Sequence, residues 1–270
     1  MVKSSGFDIQ GITWPINDSL LEIPNPNRTV IVTNPPYLAN HSAKRKGVSS
    51  LVQKYFERSK QKNLYMIALE NALASADYVV AIIPETFLLS SFPKQRLELA
   101  VVIQDSLFGD TDAPALVACF TKDVCADAHI FTGSQRIGNL KQVLALRESK
   151  APKQIIVFND PTGRIGLRAV DGSDGKSPIQ FVAAKDFAYP ASSVVVSSRL
   201  MTYLELPELS DVQISRVIVN ANSILRKIRA ESGDLVLAPF KGNDRNGKRR
   251  RRLDYALGRR ILNLAALQAQ

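Results

Sequence analysis

Short runs of consecutive apolar residues, each stopped by proline or turn residues, dominate the first half of the chain. Runs of this length predict buried strands, and there are four: Thr29–Thr33, Tyr78–Ile83, Leu97–Ile103 and Ala115–Thr121. Between the first two, apolar residues recur at helical spacing from Asn63 to Ala74. Strand, helix, strand and a closing pair of strands predict an α/β fold with a largely parallel sheet.

The second half has a different pattern, because turn residues cluster there and the apolar runs become shorter. It predicts a separate, mostly β or mixed unit with short β-like runs at 154–158, 179–182 and 193–197. We interpret Val212–Arg229 as a strand followed by a helix. In the first half, the polar and basic stretch Ala39–Lys62 predicts a mobile loop.

Charge is distributed unevenly along the 270 residues, whose net charge is +10. The last sixty residues hold 13 Lys/Arg and 5 Asp/Glu, so most of the excess lies there. A basic tail of this kind indicates a polyanionic partner such as nucleic acid, although a solubilising surface has the same composition.

Other classes of protein fit the composition poorly. Two cysteines and two histidines argue against a disulfide scaffold and against a Cys- or His-based metal site. No apolar run approaches the roughly 18 residues that span a bilayer, and the N-terminus has no secretory pattern. We therefore expect no bound metal, no membrane association and a cytoplasmic location.

Candidate chemistry is concentrated at the end of the first predicted strand, where Asn34, Pro35, Pro36 and Tyr37 follow directly. Ligands of open α/β sheets bind at the carboxyl ends of the strands. One reaction that demands such a site is methylation of an exocyclic amine, which is a poor nucleophile. Hydrogen-bond acceptors on the amine hydrogens orient it and stabilise the positive charge that develops on its nitrogen. The Asn34 side-chain oxygen and the Pro35 carbonyl supply such acceptors, while Tyr37 offers a stacking platform for a base that has left the duplex.

The tetrapeptide and its surroundings resemble adenine-N6-specific DNA methyltransferases, over roughly residues 8–122. Sixteen residues upstream, Asp18 resembles the acidic residue that contacts the adenine of S-adenosylmethionine in that family. Downstream, Tyr78–Phe87 is similar to the next core strand. The segments Asp105–Phe108 and Ala115–Phe120 are similar to the closing hairpin, where an aromatic residue, here Phe108, helps to hold the flipped base. The motif order resembles the gamma arrangement.

One departure from the family is large, because no glycine-rich donor loop and no second strand with an acidic residue for the ribose precede Asp18. The resemblance thus implies an incomplete Rossmann-like methyltransferase sheet in residues 1–125 and a target-recognition region in residues 126–270. Thr29–Thr33 would then be an exposed apolar edge strand. We expect a partner chain, or a further N-terminal segment, that carries the donor-binding motif for S-adenosylmethionine.

The segment Asp234–Gly247 echoes the donor loop of circularly permuted family members, but Ala238 replaces the expected acid and charged residues fill the loop. We favour DNA contact for it. The predicted DNA-binding residues are basic and lie in two places: Lys44, Arg45 and Lys46 after the tetrapeptide, and Lys241, Arg245, Lys248, Arg249, Arg250, Arg251 and Arg252 near the C-terminus.

The resemblance implies methyl transfer from S-adenosylmethionine to adenine N6 in a specific sequence of double-stranded DNA, within a restriction-modification system. Two alternatives remain open. The same tetrapeptide occurs in methyltransferases that act on RNA or on a protein glutamine. A DNA-recognition subunit, or an inactive remnant of such a system, would share the basic C-terminal region. The chain is expected to be inactive in isolation if the donor-binding half lies elsewhere.

Overall fold

The computed structural model describes residues 17–23, 28–103, 114–148, 153–195 and 198–270. The predicted site residue Phe108 lies outside these ranges. The chain divides into two compact units, Met1–Ala81 and Ile82–Gln270. The functional division proposed at residues 125 and 126 stays a prediction.

The first unit is built on a pair of parallel strands connected by helices. Its elements are β1 (Arg28–Thr33), α1 (Asn40–Arg45), α2 (Ser49–Glu57), α3 (Leu64–Ser75) and β2 (Ala76–Pro84), the last of which continues into the second unit. In the register of the two strands, Val30 lies opposite Tyr78 and Thr33 opposite Ala81. The strand–helix–strand order predicted from the apolar pattern is confirmed.

Helix α3 forms the centre of the first unit, and its residues Leu64 to Leu69 are all buried. A helix that is apolar on every side is stable only inside a core. The predicted mobile loop Ala39–Lys62 is wrong, because this stretch contains helices α1 and α2. Its apolar residues Val52, Tyr55 and Phe56 are half-buried, while its many lysines and arginines are exposed. Because basic residues dominate the stretch, the helical spacing of the few apolar residues is not evident in the sequence.

The second unit contains a mixed sheet with the order β4-β3-β5-β6 among its own strands. Strands β3 and β4 are antiparallel, β3 and β5 are parallel, and β5 and β6 form a hairpin. These elements and the helix that follows are β3 (Leu97–Val102), β4 (Ala115–Phe120), β5 (His129–Thr132), β6 (Gln135–Asn139) and α4 (Leu140–Ala145). The first two strands were predicted; β5, β6 and α4 were not.

A second sheet follows, antiparallel throughout, with the order β7-β10-β8-β9. Its strands are β7 (Val157–Phe158), β8 (Ile165–Arg168), β9 (Gln180–Ala183) and β10 (Met201–Glu205). The predicted β-like run at 193–197 is wrong over its described part, because Ala191–Ser193 is a 3₁₀ turn. The chain ends with α5 (Asp211–Ser232), the hairpin β11 (Ala238–Asn243) and β12 (Arg249–Arg252), and α6 (Tyr255–Leu267).

Helix α5 corrects the prediction of a strand at Val212, because the whole segment is one helix of 22 residues. It begins at a capping box in which Ser210 and Gln213 bind each other's backbone N–H groups, and it ends at Gly233 with φ +54°. Asn222 on this helix binds both the N–H and the C=O of Phe181 in β9, at 3.0 and 2.7 Å.

The α/β class is confirmed, but the prediction of a largely parallel sheet is wrong, because β3–β4 and β5–β6 are antiparallel beside the parallel pairs β1–β2 and β3–β5. The region after residue 126 is mixed rather than mostly β, since it also contains α4, α5 and α6. Across the described ranges, no helix is long and apolar enough to cross a bilayer.

Candidate functional site

The tetrapeptide Asn34–Tyr37 lies immediately after the carboxyl end of β1, where the parallel pairing with β2 stops. Two prolines end the strand because neither has an N–H to donate to a ladder. Pro35 is buried, whereas Asn34 is exposed. The turn therefore holds its backbone against the first unit and presents the Asn34 side chain to solvent.

Tyr37 orients that side chain, since its hydroxyl donates a hydrogen bond to the Asn34 Oδ1 atom at 3.2 Å. The Tyr37 ring is half-buried and meets the buried ring of Tyr65 edge-on, with centroids 6.3 Å apart. Burial raises the pKa of Tyr37 to about 12, so the hydroxyl stays a neutral donor throughout the physiological range.

The arrangement supplies a preoriented Asn34 amide oxygen that can accept one more hydrogen bond. A carbonyl oxygen has two lone pairs, and the bond from Tyr37 uses one of them. The other can accept a hydrogen from an external amine or amide. Sequence reasoning assigned Tyr37 to stacking alone; its hydrogen bond to Asn34, three residues away, was missed although the spacing permits it.

Asp18 is held in place by residues of α2. Its carboxylate accepts hydrogen bonds from the Tyr55 hydroxyl at 2.7 Å, from the Lys54 ammonium at 3.4 Å and from the Leu20 N–H at 3.3 Å. The bond from Tyr55 is the main cause that lowers the pKa of Asp18, despite some desolvation. The side chain keeps 37% of its surface exposed, so an ionised carboxylate remains accessible beside these partners.

In the described part of the first unit, no glycine-rich loop follows a strand. Asp18 could contact an adenine, but the only glycine in the described part of the first unit is Gly47, which follows helix α1 rather than a strand. In the second unit, Gly242 and Gly247 belong to the β11–β12 hairpin. Because that segment forms a hairpin, it does not provide the strand–loop–helix arrangement that receives a donor's amino-acid portion.

Three of the predicted DNA-binding residues, Lys44, Arg45 and Lys46, are exposed at the carboxyl end of α1. Basic residues in the last helical turn interact favourably with the helix dipole. Their exposure is compatible with contact to a phosphate backbone, and this role stays a prediction.

The C-terminal basic residues lie in the β11–β12 hairpin and differ in their surroundings. Arg245 and Lys248 are exposed near its tip; Arg249, Arg250 and Arg252 are half-buried on β12; and Lys241 belongs to β11. Arg250 lies over the ring of Phe240 at 5.0 Å and donates to the Asp171 carbonyl at 2.8 Å.

Arg251 is the exception within the run, because it is only 5% exposed and forms an ion pair with Glu85, itself 4% exposed. Both guanidinium Nη atoms donate to the Glu85 carboxylate, one of them at 3.3 Å. The side chain of Arg251 therefore faces a protein carboxylate, and its predicted contact with DNA gains no support from its placement. Glu85 had no assigned role in the sequence.

A network of further ion pairs holds the same region together. Arg229 at the end of α5 binds Asp171 at 2.8 Å and Asp234 at 2.7 Å, and Lys248 lies 3.4 Å from Asp234. The Arg251 backbone N–H also donates to Asp171, at 3.1 Å. Among the described residues, no three His, Cys, Asp or Glu side chains are grouped so as to hold a metal ion.

Comparison with known proteins places the tetrapeptide inside a recognised stretch of sequence. Residues 23–100 match the family model of the Eco57I restriction-modification methylase. The match contains β1, the tetrapeptide and the helices α1 to α3, and it supports a methyltransferase of a restriction-modification system.

Among solved structures, the chain is similar to a modification subunit of a putative type I restriction enzyme from Vibrio vulnificus YJ016. The two share 19% sequence identity over 42% of this chain, with a TM-score of 0.31. The similar region spans 27% of that subunit's length. No curated protein matches the chain.

Proposed function

We propose that this chain is the target-handling part of a DNA methyltransferase that transfers a methyl group from S-adenosylmethionine to adenine N6 in a specific DNA sequence. One observation carries the proposal. An exposed asparagine, oriented by a tyrosine hydroxyl, follows the carboxyl end of a parallel strand within the stretch that matches a restriction-modification methylase.

The chemistry asks for hydrogen-bond acceptors aimed at an exocyclic amine, and Asn34 meets this demand. Its Oδ1 atom accepts from Tyr37 and retains a lone pair for one amine hydrogen, while the Pro35 carbonyl is assigned to the other. Both interactions strengthen as the amine becomes positive, so they stabilise the transition state more than the ground state. The Tyr37 ring is assigned to stacking on the flipped base.

S-adenosylmethionine would supply an electrophilic methyl group, and Asp18 is assigned to its adenine. The remainder of the donor site is proposed to come from another segment, either in a partner chain or N-terminal to this one. Strand β1 supports this proposal, because among the described strands it pairs only with β2, and its side chains Val30 and Val32 are 54% and 78% exposed. Apolar edge strands of this kind are normally paired or covered.

The proposal is tested by expressing the chain with its flanking reading frames in a host that lacks adenine methylation. N6-methyladenine is quantified by mass spectrometry and its positions are mapped by sequencing. The purified assembly is then assayed in single turnovers on a duplex that contains the mapped site, with 2-aminopurine fluorescence as the report of base flipping.

Asn34→Ala is expected to lower the single-turnover rate about a hundred- to a thousandfold, as is typical for the loss of one preorganised acceptor or donor. DNA affinity should barely change, because phosphate contacts dominate it. Asn34→Asp should be milder, since an oxygen acceptor remains. The matched control is Asn40→Ala, which removes an exposed amide six residues away. A parental rate in Asn34→Ala would show that the tetrapeptide is only a turn.

Methyl groups found in RNA or protein but not in DNA would contradict the assigned substrate. An assembly that binds DNA but transfers no methyl group to it would instead indicate a recognition subunit.

A further inference from the structure

The β11–β12 hairpin has a tip that is rigidly folded although it is exposed. The Asp244 carboxylate accepts hydrogen bonds from the N–H groups of Asn246 and Lys248, both at 2.9 Å. The Asp244 N–H donates to the Lys248 carbonyl at 2.8 Å, and Gly247 has a φ of +78°, which a side chain would resist. The turn is therefore held in one conformation by its own residues.

The tip is also braced from the side by the loop that follows β8. The Arg245 N–H donates to the Ser173 carbonyl at 3.0 Å. The Asn246 side chain lies so close to Gly175 that a methyl group at this glycine would clash with the amide nitrogen. The side chains of Arg245 and Asn246 are nevertheless exposed, and the Asn246 amide lies against Gly175.

Two of the arginines that were predicted to contact DNA instead anchor the base of the hairpin. Arg251 is buried against Glu85, and Arg250 is bound to Phe240 and to the Asp171 carbonyl. These contacts fix the base of the hairpin to the rest of the second unit. The exposed hydrogen-bonding groups are consequently concentrated at the tip rather than along β12.

A basic cleft of about 630 Å³ lies beside the hairpin, between the segment 171–180 and helix α5. Exposed Lys176 and Arg226 line it, together with Arg249, whose Nη1 atom is buried and has no hydrogen-bond partner among the described residues. A cleft with exposed cationic side chains is suited to a phosphodiester backbone.

We infer that the hairpin tip is a sequence-reading element for duplex DNA, in which Arg245 and Asn246 contact base edges while the cleft beside them holds a phosphate strand. Arginine pairs in bidentate fashion with guanine, and asparagine with adenine. A two-stranded ribbon fits the major groove, which is about 12 Å wide. The inference rests on the proposed function only in taking DNA as the substrate.

The test uses the purified full chain and a pool of 30-base-pair duplexes with a randomised centre. Bound duplexes are selected and sequenced, and fluorescence anisotropy then compares the affinity for the selected sequence with that for the unselected pool. The variants are Arg245→Ala and Asn246→Ala at the tip and Arg226→Ala in the cleft. Arg199→Ala, an exposed arginine outside the hairpin and the cleft, is the matched control. All four positions are exposed or partly exposed, and circular dichroism checks the fold of each variant.

Arg245→Ala and Asn246→Ala should each lower the ratio of selected to unselected affinity about 5- to 150-fold and change the selected bases at one position. Arg226→Ala should weaken both affinities together and reduce the slope of log K against log salt by about one. Arg199→Ala should change neither ratio nor sequence.

If the parent chain selects a sequence and both tip variants select it equally well, the tip does not read bases and the inference is overturned while the proposed function stands. Binding of DNA without any sequence preference overturns it as well. A chain that binds no DNA, and whose full assembly methylates none, overturns the proposed function together with the inference.

Discussion

The ion pair between Glu85 and Arg251 provides a quantitative test of how the hairpin is held. Both residues are at most 5% exposed, and the carboxylate accepts from both Nη atoms of the guanidinium group. Removing one partner leaves the other charge buried without compensation, which typically costs 3–5 kcal/mol. Glu85→Ala is therefore expected to lower the free energy of unfolding of the second unit by about that amount.

An exposed pair gives the scale for comparison. Lys227 and Glu231 are four residues apart on α5, 75% and 47% exposed, and 3.8 Å apart. Pairs of this kind contribute about 0.3–0.5 kcal/mol, so Glu231→Ala should be nearly neutral. The double variant Glu85→Met with Arg251→Met should be more stable than either single variant, because replacing both members of a buried pair leaves no uncompensated charge.

Urea unfolding followed by circular dichroism measures these differences. Hydrogen exchange of hairpin peptides reports whether the loss is local to β11 and β12. A cost below about 1 kcal/mol for Glu85→Ala, or a double variant less stable than both single variants, would refute the argument that the pair is a desolvated anchor.

The DNA affinity of Glu85→Ala distinguishes two roles of this residue, as an anchor of the hairpin and as a negative charge that repels DNA. Glu85→Ala removes a negative charge, so the summed field of the protein would strengthen DNA binding slightly. If the ion pair instead fixes the base of the hairpin, Glu85→Ala should have a lower affinity for the sequence that the parent chain selects. Its affinity for the unselected pool should change little. Stronger binding to the selected sequence would contradict the anchoring role.

Further predictions follow from single contacts. Tyr37→Phe should keep base stacking but lose the bond that orients Asn34, so the single-turnover rate should fall about tenfold or less while 2-aminopurine flipping persists; a loss as large as that of Asn34→Ala would contradict this. Burial lowers the pKa of Lys94 to about 8, so the folded state binds fewer protons than the unfolded state between pH 8 and the ordinary value of 10.5. The free energy of unfolding, measured in urea relative to Lys94→Met, should accordingly rise with pH across this window and stay flat below it. Ser210→Ala should cost about 1 kcal/mol through the N-cap of α5, with Ser223→Ala on an exposed face of the same helix as control. Calorimetry on the chain alone should detect weak or no binding of S-adenosylmethionine, and a micromolar dissociation constant would contradict a donor site completed by another segment.

The local pattern of the sequence was enough to predict β1, β2 and α3, but not α1 and α2, which follow the tetrapeptide directly. Strands β1 and β2 are short β-branched runs stopped by proline, and α3 is apolar at helical spacing, so each element was evident from its own residues. The position of Asn34 at a strand end followed in turn. These features depend on steric and hydrophobic preferences that act within about ten residues.

Helix α5 shows where local preference was insufficient. Its β-branched residues Val212, Ile214 and Val217 suggested a strand. The capping box at Ser210 and the burial of one helical face against the rest of the second unit stabilise the helix instead. Tertiary packing overrides a propensity that is worth less than 1 kcal/mol per residue.

Only the tertiary structure determined the surroundings of the charged residues. All four arginines on β12 were predicted to contact DNA, but Arg251 is buried in an ion pair with Glu85, 166 residues earlier in the chain. Tyr55 similarly binds Asp18 across 37 residues. A charge can be buried only where an opposite charge meets it, and the fold alone decides which two residues meet.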